Sequence, residues 1–229
     1  MAVLSNTGIR MGASGAGGGD AYQIEKSLRF DEASTAYLNK TPGSAGNKLV
    51  WTWSSWIKRH NPTNSERLFT AGASGSACSI FEFGSGGDLE ISNYHSGYDC
   101  RKNTKMVFRD PSAWFHLVVK CTASTLQVYV NGVEVTDWDT DTEPDGTDWE
   151  FNESSISHTI GRTAWGSEYS DVSLAEVHWI DGTALDADSF GETNEDTGQW
   201  VPIEYTGSYG TNGFYLKFDN TSDLGEDSS

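Results

Sequence analysis

Two stretches of the sequence place aromatic side chains where they could bind a sugar. Tyr94, His95 and Tyr98 fall in one predicted loop, and Trp165 and Tyr169 fall in another. Sugar rings stack on indole and phenol faces, while Asn and Asp side chains bind hydroxyl groups. The alternative is that these aromatic side chains cap the folded domain or pack against a neighbouring subunit. Both interpretations stay open on the sequence alone.

An acidic run between residues 137 and 150 raises the question of a calcium ion, since hard cations prefer several carboxylate oxygens. The run departs from the EF-hand loop, because Thr142 stands where that loop requires glycine and a proline follows closely. A calcium ion near Asp137, Asp139 and Asp141 is therefore the less favoured alternative, and a solvated acidic loop is the preferred interpretation. We predict no metal ligands and no cofactor.

Motifs for nucleophilic catalysis and for phosphate binding are incomplete in this sequence. The string Gly72-Ala-Ser74-Gly75 lacks the second spacer of the G-x-S-x-G motif. The glycine-rich strings 17–19 and 84–87 carry no Lys-Ser/Thr pair and precede no helix, so we interpret them as turns.

The elements that must position these residues are short β-strands. From residue 27 onward, runs rich in Val, Ile, Phe, Tyr, Trp and Thr alternate with clusters of Gly, Asn, Asp or Pro. The helical exception is a single predicted turn at 186–190. Strands without βαβ spacing indicate an antiparallel sandwich or barrel. The predicted strands are 27–30, 36–39, 49–58, 67–71, 79–83, 89–92, 105–108, 114–121, 126–130, 133–136, 158–162, 173–180 and 214–218.

The patterns of two of these strands also predict a turn and a position within the fold. The dipeptide Asn131-Gly132 after 126–130 predicts a tight hairpin, because both residues tolerate the positive φ of a type I′ turn. The strand 49–58 carries Trp on both of its alternating faces, which predicts that it lies between two packed layers. His116 and His178 also fall within strands, and we interpret them as buried, hydrogen-bonded core residues.

The net charge of −18 at pH 7 is unevenly distributed over the 229 residues. Residues 1–60 hold 7 basic and 4 acidic side chains, whereas residues 134–229 hold 2 basic and 23 acidic ones. Nucleic acids and anionic membranes attract basic surfaces, so we expect no nucleic-acid partner and no membrane insertion.

The cysteines and the N-terminal residues indicate the cellular compartment in which the chain folds. The chain has 3 cysteines, which cannot all pair within it, so we expect reduced thiols, or at most one disulfide with one thiol left over. The first residues lack the charged and apolar regions of a signal peptide. We therefore expect the chain to be made and folded in a cytoplasm.

Three motifs follow one another in a characteristic order. Trp51-Thr-Trp-Ser-Ser-Trp comes first, then Trp114-Phe-His-Leu-Val-Val with Leu126-Gln-Val-Tyr-Val-Asn-Gly, and finally Ile160-Gly-Arg with Ala175-Glu-Val-His-Trp-Ile-Asp-Gly-Thr-Ala-Leu185. Together they resemble a laminin-G-like, concanavalin A-like domain over about residues 27–190. This resemblance implies an all-β, antiparallel jelly-roll sandwich of the lectin/glucanase type, with the closing strand 214–218 in the same sheet as 27–30.

The resemblance also bears on catalysis. Relatives of this fold that cleave β-glucans carry E-x-D-x-x-E or E-x-D-x-E on one strand, so that alternate carboxylates reach the same groove. The nearest string here, Asp88-Leu-Glu90, lacks the third carboxylate. We therefore predict that the chain is not an enzyme, with a polysaccharide-degrading activity as the least favoured alternative.

The two ends of the chain have a narrower resemblance. The strings Ser5-Asn-Thr-Gly-Ile-Arg-Met-Gly-Ala-Ser14 and Gly213-Phe-Tyr-Leu-Lys-Phe218 are similar to virion proteins of tailed phages of marine bacteria. In such proteins a lectin-like module stands near the start of a tail fibre or appendage. The resemblance implies location in the virion, other virion proteins as partners, and a homo-oligomer such as a trimer.

These observations give a domain plan and a function. We expect an extended N-terminal arm at 1–24, a jelly-roll domain at 25–219 and a polar C-terminal exit segment at 220–229. The arm is glycine-rich but carries apolar residues that suit docking to the particle, while the sandwich mediates adhesion or recognises a host surface glycan. A soluble carbohydrate-binding lectin is the alternative. The docking residues of the arm are Val3, Leu4, Ile9 and Met11.

Overall fold

The computed structural model describes residues 22–229. The docking residues predicted in the arm lie outside this range. The described chain consists of short strands and two 3₁₀ turns, Glu32–Ser34 and Ala187–Ser189. The strands are β1 Leu28–Phe30, β2 Leu38–Lys40, β3 Trp51–Arg59, β4 Glu66–Ser74, β5 Ala77–Phe83, β6 Asp88–His95, β7 Tyr98–Val107, β8 Phe115–Cys121, β9 Leu126–Val130, β10 Val133–Glu134, β11 Trp138–Thr142, β12 His158–Ile160, β13 Val172–Asp181, β14 Gly191–Thr193, β15 Trp200–Pro202 and β16 Phe214–Leu216.

Two antiparallel sheets of seven strands pack into a jelly-roll sandwich, as the sequence predicts. Sheet A has the order β1-β13-β3-β8-β9-β10, and β16 pairs with β13 as well. Sheet B has the order β11-β7-β6-β5-β4-β12-β2, while β14 and β15 form a separate hairpin. β1 and β16 both pair with β13, at opposite ends of it, which confirms that the first and closing strands share a sheet.

The space between the sheets is filled mainly by aromatic side chains. Trp51 and Trp53 of β3 point inward and are fully buried. Trp53 stacks on Phe69 with a ring distance of 4.9 Å, and Phe69 stacks on Phe151 at 4.7 Å. Such aromatic contacts add roughly 0.5–1.5 kcal/mol each beyond the area they bury. Phe151 belongs to the segment 143–157, so this core holds that segment across the end of the sandwich.

A second apolar layer covers the outer face of sheet A. Trp56, on the opposite side of β3 from Trp51 and Trp53, is buried against Ile24 and Ala175, with Trp200 packed on this group. A neighbouring cluster joins Val118 and Ile180 to residues 187 and 190. The position of β3 between two packed layers is therefore confirmed. No comparable cluster of the described residues lies on the outer face of sheet B.

The two strand histidines are satisfied within this covered face. The Trp200 indole N–H donates to His116 Nδ1 at 3.0 Å, so His116 carries its proton on Nε2 and donates to Ser54 Oγ at 2.8 Å. His178 Nδ1 lies 2.9 Å from the Tyr209 hydroxyl. Burial lowers the pKa of both histidines to about 3. Because His116 is the donor to Ser54, this Ser-His pair has no base for activating the serine.

Most predicted strands are present, and the hairpin at Asn131-Gly132 has positive φ at both residues, 48° and 77°. The predicted helical turn at 186–190 is a 3₁₀ turn. The prediction of an acidic loop after residue 136 was wrong for β11, which is an edge strand paired with β7. Lysines of β7 explain the difference, because they neutralise the carboxylates that β11 brings to them. β14 and β15 were not predicted.

The last residues of the chain pack back on the sandwich. The Asp227 carboxylate accepts from the Tyr215 backbone N–H at 3.0 Å, and the Ser228 N–H donates to the Tyr215 carbonyl at 2.8 Å. Leu224 packs against the core. These contacts cover the free edge of β16, which would otherwise expose unpaired backbone groups. No helix among the described residues has the length and apolar character needed to cross a membrane.

Candidate functional site

The aromatic candidates lie largely on one surface, the outer face of sheet B. In β5, Phe81 and Phe83 point into the core, so alternation turns Cys78 and Glu82 outward. Tyr94 of β6 pairs directly with Cys78 and shares its face. Tyr98 contacts Tyr94, and the segment 162–170 folds over the same side of β4 and β12. We call the group Tyr94, Tyr98, Trp165 and Tyr169 the aromatic face.

The β6–β7 hairpin presents two tyrosines at one end of this face. The rings of Tyr94 and Tyr98 lie 5.0 Å apart at 74°, and Tyr98 is 48% exposed. The Arg101 guanidinium lies 4.5 Å from the Tyr98 ring centroid. Ser96, with a φ of 60°, turns the chain between the two strands. One phenol face is therefore both open to solvent and held in place by its neighbours.

His95 takes part in a different set of contacts. Its Nδ1 lies 2.5 Å from an Asp99 carboxylate oxygen and its Nε2 lies 3.0 Å from one of Glu150. Partial burial lowers the pKa of His95, but the hydrogen bonds and charges of these two carboxylates outweigh it and raise the pKa. Because both ring nitrogens are occupied, His95 links the hairpin to the segment 143–157.

Trp165 is placed by the turn that follows β12. The Ala164 backbone N–H donates to Thr70 Oγ1 at 2.8 Å, which fixes this turn on β4. The indole then lies over the β4–β5 connection, and a β-carbon on Gly75 would lie only 3.3 Å from Trp165 Nε1. A glycine at this point lets the half-buried indole lie close to the turn. Two strand spacings, about 10 Å, separate β4 from the tyrosine-bearing β6.

The Arg162 side chain lies against two tyrosines, Tyr37 and Tyr169. The Arg162 guanidinium carbon is 3.9 Å from the Tyr37 ring centroid and 5.9 Å from that of Tyr169. The two rings are 6.2 Å apart. Tyr37 is 39% exposed and precedes β2, while Arg162 and Tyr169 form an isolated β-bridge.

A row of ion pairs crosses the same face near the β5–β6 connection. Glu90 accepts from Arg101 Nε at 3.1 Å and Nη2 at 2.8 Å, and Glu82 pairs with Arg67 on the adjacent strands. Glu82 and Glu90 are direct cross-strand neighbours. Burial raises the pKa of Glu82, and Arg67 opposes this shift. Both carboxylates are thus neutralised by guanidinium groups, an arrangement that suits binding of hydroxyl groups.

The acidic residues considered for calcium contact lysines. Asp137 pairs with Lys105 at 2.7 Å, and Asp141 pairs with the buried Lys102 at 2.7 Å. Glu143 contacts Lys102 as well, at 2.6 Å. In residues 22–229 no group of three or more His, Cys, Asp or Glu side chains is arranged to hold a metal ion. The three cysteines are free and buried.

A separate cavity of about 230 Å³ opens at the edge of the sandwich. Its lining is mainly apolar and includes Leu38, Phe69 and Leu216, with the Lys40–Asp227 ion pair of 3.7 Å at its rim. None of the aromatic candidates lines it. This cavity is a gap between the two sheets, and it is distinct from the aromatic face.

Sequence reasoning selected the aromatic loops but missed their polar neighbours. Glu82, Glu90 and Arg101 each follow a core residue, Phe81, Leu89 or Cys100, so strict alternation would have placed these three on one face. A register shift between Arg67 and Phe69 hides Arg67 from this pattern. Arg162 had no comparable signal, because nothing in the sequence indicates which tyrosines approach it.

Two antiparallel sheets with aromatic and charged side chains on an open outer face define a lectin-like β-sandwich. A family profile described as the concanavalin A-like lectin/glucanases superfamily matches residues 32–189, and the chain belongs to that superfamily. No curated protein matches the chain.

Solved structures are similar to the chain at low sequence identity. A putative carbohydrate-binding protein from Bacteroides ovatus is 15% identical, with 84% of this chain and 51% of that protein covered and a TM-score of 0.52. Domain 4 of an extracellular arabinanase from Geobacillus stearothermophilus, in complex with arabinotriose, is 15% identical over 72% of this chain and 71% of that one, with a TM-score of 0.48. A pentraxin from Limulus polyphemus is 14% identical over 65% and 70%, with a TM-score of 0.45.

Proposed function

We propose that the chain is a non-catalytic carbohydrate-binding module that binds a glycan on the aromatic face. The observation that carries the proposal is the open Tyr98 ring, held between Tyr94 and Arg101 on the uncovered side of sheet B. A sugar ring stacked on this phenol gains apolar contact, while neighbouring charged groups bind its hydroxyls. Membership of a superfamily that includes lectins supports this function.

The spacing of the aromatic residues favours an oligosaccharide over a single sugar. Trp165 lies over the β4–β5 connection and Tyr94 lies on β6, and two strand spacings, about 10 Å, separate β4 from β6. The paired carboxylate of Glu82 lies on β5, the strand between β4 and β6. One chain of sugars can therefore contact both ends of the face.

The proposal that the module is not an enzyme has a separate basis. A glycosidase needs one carboxyl group as acid and a second as nucleophile or base. On the aromatic face Glu90 and Glu82 are each engaged by an arginine. A carboxylate held by a guanidinium is a poor nucleophile, so the pairing of these two glutamates suits binding.

The test is a glycan array followed by calorimetry on the glycans that bind. We expect Tyr98→Ala and Trp165→Ala each to weaken binding about tenfold, which corresponds to the loss of one aromatic contact. Met106→Ala is the matched control, because Met106 is 46% exposed and lies near the other end of the strand that begins at Tyr98. Binding that is equally strong in all three variants would exclude the aromatic face as the site.

The same proposal places the module in a phage virion, as a tail-fibre or appendage protein attached through its N-terminal arm. Its support is the resemblance of the two chain ends, together with the position of the first described residues on the domain. Ile24 packs against Trp56 on the outer side of sheet A, and Tyr22 donates to Glu176 at 2.5 Å there. An arm that leaves on this side leaves the aromatic face, on the opposite sheet, free for a host glycan.

Particle incorporation tests the virion role separately. Deleting residues 2–21 should abolish incorporation into particles and leave glycan binding and thermal stability unchanged, with a mass-spectrometric inventory of purified virions as the readout. Normal incorporation of the shortened chain would overturn the anchoring role of the arm. A homo-oligomer, which we expect for a fibre, is tested in the same material by sedimentation.

A further inference from the structure

Arg162 differs from the other arginines of the described chain in having no carboxylate or carbonyl partner for its guanidinium group. Arg29, Arg59, Arg67 and Arg101 each lie within 4.0 Å of a carboxylate, and Arg109 donates to the Gly86 carbonyl. Within residues 22–229, no carboxylate lies within 4.0 Å of Arg162, and its buried Nε has no hydrogen-bond partner. An unpaired guanidinium is unexpected in a chain with 33 acidic and 15 basic side chains.

We propose that Arg162 binds the carboxylate of an acidic sugar, so that the glycan recognised by the aromatic face carries carboxyl groups. This inference rests on the proposed glycan-binding function and adds the substrate class to it. A guanidinium presents a planar fork of donors that matches a carboxylate, and such charge-assisted pairs are stronger than neutral hydrogen bonds. Sugars with a carboxyl group on the ring supply this partner together with a stacking surface.

The backbone at Arg162 is fixed independently of any ligand. Its carbonyl accepts from Thr70 Oγ1 at 3.0 Å and from Thr159 Oγ1 at 2.6 Å, and both threonines lie on the outer face of sheet B. The preceding Gly161 has a φ of +81°, and a β-carbon there would lie 2.5 Å from the Phe30 ring. The side chain therefore projects from a position that these contacts hold in place.

The aromatic contacts fix the guanidinium itself. The Tyr37 ring lies 3.9 Å from the guanidinium carbon and the Tyr169 ring 5.9 Å from it, so tyrosines restrict its rotation. A pre-oriented fork loses little rotamer freedom when a ligand binds. The Tyr37 ring is 39% exposed, so a partly open aromatic surface lies beside the charged group.

The charges around Arg162 favour sparse carboxylates over a dense polyanion. Glu168, in the same turn, is occupied by a hydrogen bond from the Thr163 hydroxyl. The net charge of −18 repels polyanions at long range, but at physiological ionic strength screening acts over about 8 Å. A single carboxylate that reaches the Arg162 guanidinium is then attracted locally. A uniformly charged polymer also contacts the rest of the acidic surface, which repels it.

The experiment compares matched glycans on one array: uronate- and sialate-bearing oligosaccharides, their carboxyl-reduced neutral counterparts, and sulfated neutral oligosaccharides. We expect the carboxylated members to bind at least about tenfold more tightly than their reduced counterparts. Arg162→Met should abolish this difference, and Arg162→Lys should remove most of it, since lysine keeps the charge but lacks the fork. Arg109→Met is the matched control and should bind as the wild type does.

The outcomes separate this inference from the proposed function. If neutral glycans bind in a manner that depends on Tyr98 and Trp165, and Arg162→Met has no effect, the acidic-sugar inference is overturned while the glycan-binding function stands. If no glycan binds at all, the proposed function fails first. Equal binding of sulfated and carboxylated glycans would overturn the assignment to carboxylates. Thermal unfolding of each variant checks that it is folded. If Arg162→Met does not fold, Arg162→Lys provides the test.

Discussion

The outer face of sheet A and the outer face of sheet B both carry polar side chains at alternate strand positions, but among the described residues an apolar second layer covers only the first. On sheet A, Ser54, His116 and His178 are buried and hydrogen-bonded to groups on neighbouring elements. On sheet B, Tyr98 and Arg162 remain open to solvent in part. The covering layer therefore decides whether an outward residue stabilises the fold or can meet a ligand.

The comparison also explains how the two faces use aromatic residues. Trp56 on sheet A stacks on His116 at 5.0 Å and is 2% exposed, so its whole surface is used within the fold. Tyr98 on sheet B contacts Tyr94 and Arg101 with one part of its ring and leaves nearly half of its surface exposed. Replacing Trp56 should change stability, and replacing Tyr98 should change glycan binding.

The largest expected effect is on stability, from Trp56→Ala. The substitution leaves a cavity between sheet A and its covering layer, and it should lower the free energy of unfolding by about 3–5 kcal/mol. Chemical denaturation gives this value, with Tyr98→Ala as the control that should stay within about 0.5 kcal/mol of the wild type. Equal losses for the two variants would contradict the distinction between the faces.

The next largest expected effect is a pH dependence of stability that arises from His178 on sheet A, and His178→Gln tests it. The folded-state pKa of His178 is about 3 because of burial, and its unfolded value is near 6.5. As the pH falls below about 6.5 the unfolded chain gains a proton that the folded chain excludes, so wild-type stability due to this residue falls by up to about 1.4 kcal/mol per pH unit. Glutamine does not titrate.

The cost of His178→Gln should accordingly be greatest near neutral pH and shrink as the solution is acidified. Denaturation of both proteins at about pH 7 and about pH 5 measures the difference directly. Subtracting the variant from the wild type removes the contributions of the buried glutamates, which have raised pKa values and the opposite sign. A cost that does not change with pH would mean that His178 is accessible to protons in the fold.

The fold was largely predictable because the strands follow local patterns. Alternation located the principal strands, and Asn131-Gly132 located the hairpin, since both depend on residues close in sequence. β11 was missed because the aspartates in and beside Trp138–Thr142 disfavour a strand until Lys102 and Lys105 neutralise them. Those lysines lie more than thirty residues away, so the local sequence does not contain the reason.

The site was predictable in its residue types and not in its arrangement. Tyr94 and Trp165 were selected because aromatic loop residues suit sugars, but only strand register places them on the same face. The contact of His95 with Asp99 joins residues four apart in sequence and could be anticipated. Its contact with Glu150 joins distant residues and could not. Whether Arg162 has a carboxylate partner depends on where the fold places every nearby carboxylate, which the sequence does not indicate.

A smaller effect is expected for binding on sheet B, where Tyr98→Phe separates stacking from hydrogen bonding. Phenylalanine keeps the ring beside Tyr94 and Arg101 and removes the hydroxyl, so it should retain most of the affinity that Tyr98→Ala loses. Calorimetry with the strongest glycan from the array measures both variants. If the phenylalanine variant binds as weakly as the alanine variant, the hydroxyl group of Tyr98 is what contacts the sugar.

The smallest effect is expected for His95→Gln, and its sign is opposite to that of His178→Gln. The pKa of folded His95 is raised above its unfolded value, so its contribution to stability is present below about pH 6.5 and is lost as the pH rises through the folded value. His95 and its two carboxylates are partly exposed, which limits the effect to less than about 1 kcal/mol. Denaturation at about pH 6 and about pH 9 should show a cost for the substitution only at the lower pH. If the cost instead grows with pH, His95 is held neutral in the folded protein like the histidines of sheet A.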